Sequence, residues 1–205
     1  MIRAIFFDLD GVLTTDASGS LTLSKNLCEA KAGLIADDIL KSFREDIERL
    51  TSGNCSLRSV IERICAEFSI PFSEALLIAV ASTTPWNKPM VELAHSLMSA
   101  YVVGVITDNV KERMDMLSRT PELSGFNPII VSAVERASKS DGSTAIYDRA
   151  LDQAGCIASE SLFVDNQARN LVTPAKMGMH TYFHDDVRND MAALREAFRA
   201  LNIMV

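Results

Sequence analysis

The sequence lacks most of what would tie it to a membrane, an oxidising compartment or a nucleic acid. No apolar run approaches the ~18 residues of a membrane-spanning helix, and no basic stretch precedes a signal-like apolar segment. A cytoplasmic protein that makes no membrane contact is therefore expected. Cysteine is scarce: Cys28, Cys55, Cys65 and Cys156 are far apart, form no C-x-x-C pair and have no histidine at metal-ligand spacing. That excludes a disulfide framework and a structural zinc site, and leaves packed, reduced thiols. The three histidines, His95, His180 and His184, lie within or just past helical and strand patterns, where structural roles are expected. No nucleophile elbow and no glycine-rich phosphate loop is present, so triad and P-loop mechanisms have no support. Positive charge is also in deficit, with 20 Lys and Arg against 27 Asp and Glu, a net charge of −7. A phosphate backbone is held by clustered Lys and Arg, so a nucleic-acid surface is not expected. A small anionic substrate answers to local fields and stays open.

What the sequence does have is an ordinary globular balance, 48% hydrophobic and 23% charged over 205 residues. That suits one domain, or one with a modest insertion, and a real core. Short apolar runs of strand type recur at 2–7, 101–106, 128–131, 161–164 and 179–183, with helical patterns at 89–100, 110–119, 143–154, 167–177 and 189–201. Strands alternating with helices predict an α/β, Rossmann-like parallel sheet covered on both faces. One stretch breaks the rhythm. Between 24 and 83 only helical periodicity appears, with start signals at Ser24, Asp37, Ser56 and Ser73 for helices over 25–34, 38–50, 57–68 and 74–82. This reads as an inserted four-helix bundle. Its return linker is the proline-flanked segment around Trp86, whose ring is expected to pack between the two parts. The division is then a core of 1–15 and 88–205 and an insertion of 16–87. Charges in the insertion such as Glu45, Asp46, Glu48 and Arg49 read as a solvated face.

The chemistry concentrates where strands should end. Ala4-Ile5-Phe6-Phe7 runs into Asp8-Leu9-Asp10-Gly11. An unbroken apolar run is a strand buried on both faces, and residues two apart point the same way. Asp8 and Asp10 therefore project together from the edge at which open α/β sheets bind ligands. Two like charges so close call for a cation or a shared proton. The strand at 101–106 ends in Thr107-Asp108-Asn109, a turn that can donate to an anion or simply cap a helix. The strand at 128–131 is followed by Lys139, and that at 161–164 by Asp165-Asn166, with Asn170 further on. Such oxygens suit Mg²⁺, which keeps several waters and takes one or two carboxylates plus substrate oxygens. Thr14 and Thr15, where the chain leaves for the insertion, are weaker candidates for substrate contact.

Taken in order, Asp8-Leu9-Asp10-Gly11-Val12, Ile106-Thr107-Asp108-Asn109, Lys139 and Phe163-Val164-Asp165-Asn166 resemble the four motifs of the haloacid dehalogenase (HAD) superfamily of hydrolases. The helical stretch corresponds to the cap that many members insert between the first two motifs. The resemblance implies a Mg²⁺-dependent phosphatase acting on a small phosphorylated metabolite. Asp8 would be the nucleophile and Asp10 the general acid/base. Thr107 would bind the phosphoryl group with the Asp108 and Asn109 turn, and Lys139 would balance charge. Asp165 would hold Mg²⁺ with the Asp8 carboxylate and the Asp10 backbone carbonyl, with Asn166 and Asn170 beside it. The same core also serves phosphomutases, dehalogenases and binding or regulatory modules with little turnover. Asp10 argues against a dehalogenase, in which no leaving alkoxide needs a proton. Two departures stand out. Asn166 occupies a position that is often acidic, and the spacing from Lys139 to Tyr147 is two residues longer than usual, with Ser140 in place of proline.

Overall fold

A computed structural model describes residues 1–205. Its strands β1 (Ala4–Phe7), β2 (Val102–Thr107), β3 (Ile129–Val131), β4 (Ser161–Asp165) and β5 (His180–Phe183) form one sheet in the order β3-β2-β1-β4-β5, and every pairing is parallel. Helices α1 (Ser20–Ala30), α2 (Ala36–Arg44), α3 (Ile47–Thr51), α4 (Leu57–Glu67) and α5 (Glu74–Ser82) lie between β1 and α6 (Lys88–Leu97). After β2 come α7 (Lys111–Leu117), α8 (Ser132–Glu135), α9 (Ala145–Ala154), α10 (Val172–Met177) and α11 (Met191–Ala200).

The apolar run of β1 has the physical cause read from sequence. Ile5 and Phe7 enter one cluster with Val105, Val164, Leu93 of α6 and Phe198 of α11. Ala4 and Phe6 enter the opposite one with Ile106, Phe163 and Ile146 of α9. Each buried phenylalanine contributes about 1.5–3 kcal/mol, and both faces are covered, so alternation vanishes from the sequence. The edge strand β5 differs, being half exposed along its length.

The insertion has its own apolar cluster, from Leu27 through Ile39, Ile61 and Ile64 to Val80. It holds five helices rather than four. The helix expected over 38–50 breaks at Asp46, whose N–H bonds the Phe43 carbonyl at 3.0 Å and whose carboxylate takes Arg49 Nη1 at 2.8 Å and Arg63 Nη2 at 2.8 Å. Asp46 is therefore buried, not part of a solvated face. The first helix also starts earlier than expected, at Ser20 behind Gly19, whose φ of +66° turns the chain. Ser56 and Ser73 cap their helices, accepting from the Ser59 and Leu76 N–H groups. Trp86 packs against the sheet cluster, not between two units, and its backbone pairs antiparallel with Thr14. No helix is long and apolar enough to cross a membrane.

Candidate active site

Register puts the motif residues on one edge. Asp8 continues β1 and donates its N–H to Val164 O at 2.9 Å, so the ends of β1 and β4 are level. The chain then makes a single turn over residues 9–13, closed by the Thr14 N–H on Leu9 O at 2.9 Å. Gly11 sits inside that turn at φ +82°, and a Cβ there would lie 2.1 Å from Asn166 Nδ2. Glycine is thus required twice, for its backbone and for the close approach of Asn166. Gly11→Ala should destabilise the protein by about 1–3 kcal/mol. Urea unfolding checks this, and an unchanged midpoint would contradict it.

Lys139 is the centre of the arrangement. Its Nζ lies 2.7 Å from Asp8 Oδ2 and 2.7 Å from Asp165 Oδ2, and the side chain is 2% exposed. Asp165 is fixed on its other sides by the Gln167 N–H at 2.7 Å and by Asn170 Nδ2 at 3.2 and 3.1 Å. In the loop that carries Lys139, Asp141 accepts from the N–H groups of Ser138 and Ser143. Tyr147 then anchors that loop from beneath, its hydroxyl within hydrogen-bond distance of Lys139 O (2.9 Å) and Asn170 O (2.7 Å). Asp108 accepts the Lys139 backbone N–H at 3.0 Å. Thr107 lines the same cleft. Asn109, at the second motif, turns instead to Asp10, with Nδ2 3.0 Å from Asp10 Oδ2.

Arg113 was not legible as a site residue. In sequence it follows Lys111 and Glu112 in a charged first helical turn, which reads as solvated surface. In the fold it is buried and grips Asp10 with a bidentate fork, Nη1 to Oδ2 at 2.8 Å and Nη2 to Oδ1 at 2.9 Å. Thr14 Oγ1 adds a contact to Asp10 Oδ1 at 3.4 Å, and Arg113 Nη2 reaches Thr84 Oγ1 at 3.4 Å on the linker returning from the helical segment. Gly19 lets the pair sit there, since a Cβ on it would lie 2.9 Å from Asp10 Oδ2. Such forks bind more tightly and more directionally than a point charge. Arg113→Ala leaves a largely buried carboxylate without its cation, at about 3 kcal/mol of stability. Urea unfolding reads the loss, and wild-type stability would refute the pairing.

The cleft over these residues has a polar compartment of about 390 Å³ bordered by Asp8, Asp10, Thr107, Lys139, Gln167 and Arg169. Burial pushes the Asp8 carboxyl well above the usual carboxylate range against the pull of Lys139, and burial likewise raises Asp108. Burial alone would lower Lys139, but the Asp8, Asp165 and Asp108 carboxylates outweigh it and hold the ammonium charged far past neutrality. The Asp10 carboxylate does the same for Arg113, and burial raises the Tyr147 hydroxyl. His184, just past β5, is buried and pushed down by burial, and His95 Nε2 sits 3.1 Å from Glu122 O; neither borders the cleft.

The residues present suit a hard divalent cation. Asp8, Asp10, Asp108 and Asp165 bring four carboxylates against the buried Lys139 and Arg113 and the rim Arg169. Acidic groups outnumber cations, an imbalance that a divalent ion would offset. The Asn166 and Asn170 side-chain oxygens are buried beside Asp165 with no hydrogen-bond partner, an arrangement native proteins rarely leave without a water or ion. No group of three His, Cys, Asp or Glu side chains forms a metal cage, so part of the coordination would come from backbone and water, as Mg²⁺ tolerates.

No protein-family model and no curated protein matches the sequence. Solved structures do match in shape. A HAD-family enzyme from Bacteroides thetaiotaomicron, in complex with magnesium and inorganic phosphate, is 18% identical with a TM-score of 0.74, over 95% of this chain and 99% of its own. A predicted HAD-like family hydrolase from Porphyromonas gingivalis is 21% identical with a TM-score of 0.71, over 97% and 98%. An L-2-haloacid dehalogenase is 18% identical with a TM-score of 0.68, over 89% and 84%. The chain therefore has the haloacid dehalogenase-like fold. That fold carries both phosphate-binding enzymes and dehalogenases, so the chemistry must be argued from the site.

Proposed function

We propose that this chain is a Mg²⁺-dependent phosphatase that hydrolyses a small phosphorylated metabolite through an aspartyl-phosphate on Asp8. The observation that carries the reading is the arrangement around Lys139, which lies between Asp8 and Asp165 while Asp10 is held separately by Arg113. Asp8 attacks phosphorus with the oxygen facing the cleft, and Lys139 offsets the repulsion between a carboxylate and a phosphate dianion. Thr107 and the backbone of its turn orient the phosphoryl oxygens, with Arg169 at the exposed rim. The bond from phosphorus to the leaving oxygen breaks as the Asp8 acyl phosphate forms. Asp10 gives its proton to the leaving alkoxide, then takes one from the water that hydrolyses the acyl phosphate. Donors already surround both Asp10 oxygens, so proton donation requires the carboxyl to turn from Arg113. The Asp8 and Asp165 carboxylates and the Asp10 backbone carbonyl would hold Mg²⁺, with Asn166 and Asn170 beside them. When bound, the ion neutralises charge on the phosphoryl group.

The dehalogenase reading is disfavoured by Asp10, because halide leaves without a proton. Phosphate release from a panel of small monoesters, and halide release from 2-haloacids, each with Mg²⁺ and with chelator, separates the two. Mg²⁺-dependent phosphate release is expected. Halide release without phosphate release would overturn the proposal.

A further inference from the structure

Resting on the phosphatase reading, the geometry points to a substrate class: we infer that the leaving group is a short, uncharged, largely apolar alkyl chain of three or four carbons, not a polyol or sugar. Asp10 borders two compartments. On one side is the polar cleft with Asp8, Thr107 and Lys139; on the other is a cavity of about 90 Å³ roofed by the helical segment. A group that protonates the leaving oxygen must lie within hydrogen-bond reach of it, and that oxygen joins phosphorus to the carbon chain. With phosphate beside Asp8, the chain passes Asp10 into the other compartment, under Leu23, Phe43, Ile47, Leu50, Leu57 and Val80.

Most of the polar side chains lining that cavity already have partners within the protein. Arg113 is occupied by Asp10, and Asn109 donates to Asp10 and accepts the Val110 N–H at 3.0 Å. Thr51 Oγ1 donates to Ile47 O at 3.0 Å, Ser18 and Ser20 hydroxyls pair at 2.5 Å, and Asp108 takes the Lys139 N–H. A hydroxyl on the substrate would leave water for a lining that is mostly apolar carbon, and a second anionic group would find no unpaired cation there. Size sets the other bound. A dry cavity that holds benzene is about 150 Å³, so one of about 90 Å³ takes a chain of only a few carbons.

The test is a matched pair. Propyl phosphate and glycerol 3-phosphate share three carbons and differ by two hydroxyls. With Mg²⁺, kcat/KM should favour propyl phosphate by at least about tenfold and up to roughly 10²-fold, the discrimination an apolar pocket exerts on an added hydroxyl. Ile47→Thr, at a half-exposed position lining both compartments, should narrow the ratio by at least about threefold. Calorimetric binding of both esters to Asp8→Asn should show the same order without turnover. Equal or better use of glycerol 3-phosphate or of hexose phosphates, with turnover still lost in Asp8→Asn, would overturn the substrate class and leave the phosphatase reading standing. Tighter binding of propyl phosphate with no hydrolysis of any ester would sink the phosphatase reading and keep the pocket's preference. Equal binding of both esters to Asp8→Asn would overturn the preference.

Discussion

Asp8→Asn should abolish phosphate release, by roughly 10⁴-fold or more, while leaving the protein as stable as before or more so. A neutral amide is a poor nucleophile toward phosphorus, and loss of a nucleophile removes most of an enzyme's rate acceleration. The stability half follows from burial. Asp8 is an acid that desolvation pushes toward its neutral form, so replacing it by a neutral isostere removes a buried charge whose ionisation the fold opposes. The Asn oxygen can still accept the Leu9 N–H, as Asp8 Oδ1 does at 2.7 Å. Thermal unfolding and phosphate release on the same preparation test both halves. Activity within about tenfold of wild type would remove Asp8 from the chemistry. Lost activity together with a large loss of stability would make Asp8 structural.

The second large effect is on the fold. Lys139→Met removes the one cation between Asp8 and Asp165, both buried, with Asp165 fully so. The carboxylates then face each other, and breaking a buried pair in this way costs about 3–5 kcal/mol. For a chain of this size the midpoint should fall on the order of 10 °C. Because the vacated space lies between two carboxylates, millimolar Mg²⁺ should restore more stability to the variant than to wild type, through preferential binding to the folded state. Chelator should reverse the gain. A loss under about 1 kcal/mol would mean the ion pair is solvated, and no stabilisation of the variant by Mg²⁺ would mean that Asp8 and Asp165 do not share a metal.

Legibility in the sequence followed the range of the interactions involved. Local patterns were readable: the unbroken β1 run, the Asp8 and Asp10 pair, and the serine caps at 56 and 73 each depend on neighbours within a few residues. Lys139 was readable only through its order among the motifs. The Asp141 turn beside it is plain only in three dimensions. Arg113 was hidden because its partner lies 103 positions earlier, joined only once β2 pairs beside β1. Its immediate neighbours, Lys111 and Glu112, are charged and mask it. Asp46 misled for the same reason. A charged, helix-compatible stretch carries no signal that one carboxylate will bend inward to meet Arg63 from another helix. The start of the first helix depended on the positive φ of Gly19, which the apolar periodicity of 25–34 does not reveal.

The division of labour between Asp8 and Asp10 can be read in one measurement, the peptide mass spectrum of Asp10→Asn quenched in acid during reaction with acetyl phosphate and Mg²⁺. Acetate leaves without a proton, so the first step needs no acid, and the variant lacks the base for the second. The account predicts one phosphoryl group, stable in acid and released by hydroxylamine, on the peptide containing Asp8, and none when Asp8→Asn is added. A phosphoryl group on any other residue, or phosphate released with no adduct at any quench time, would contradict it.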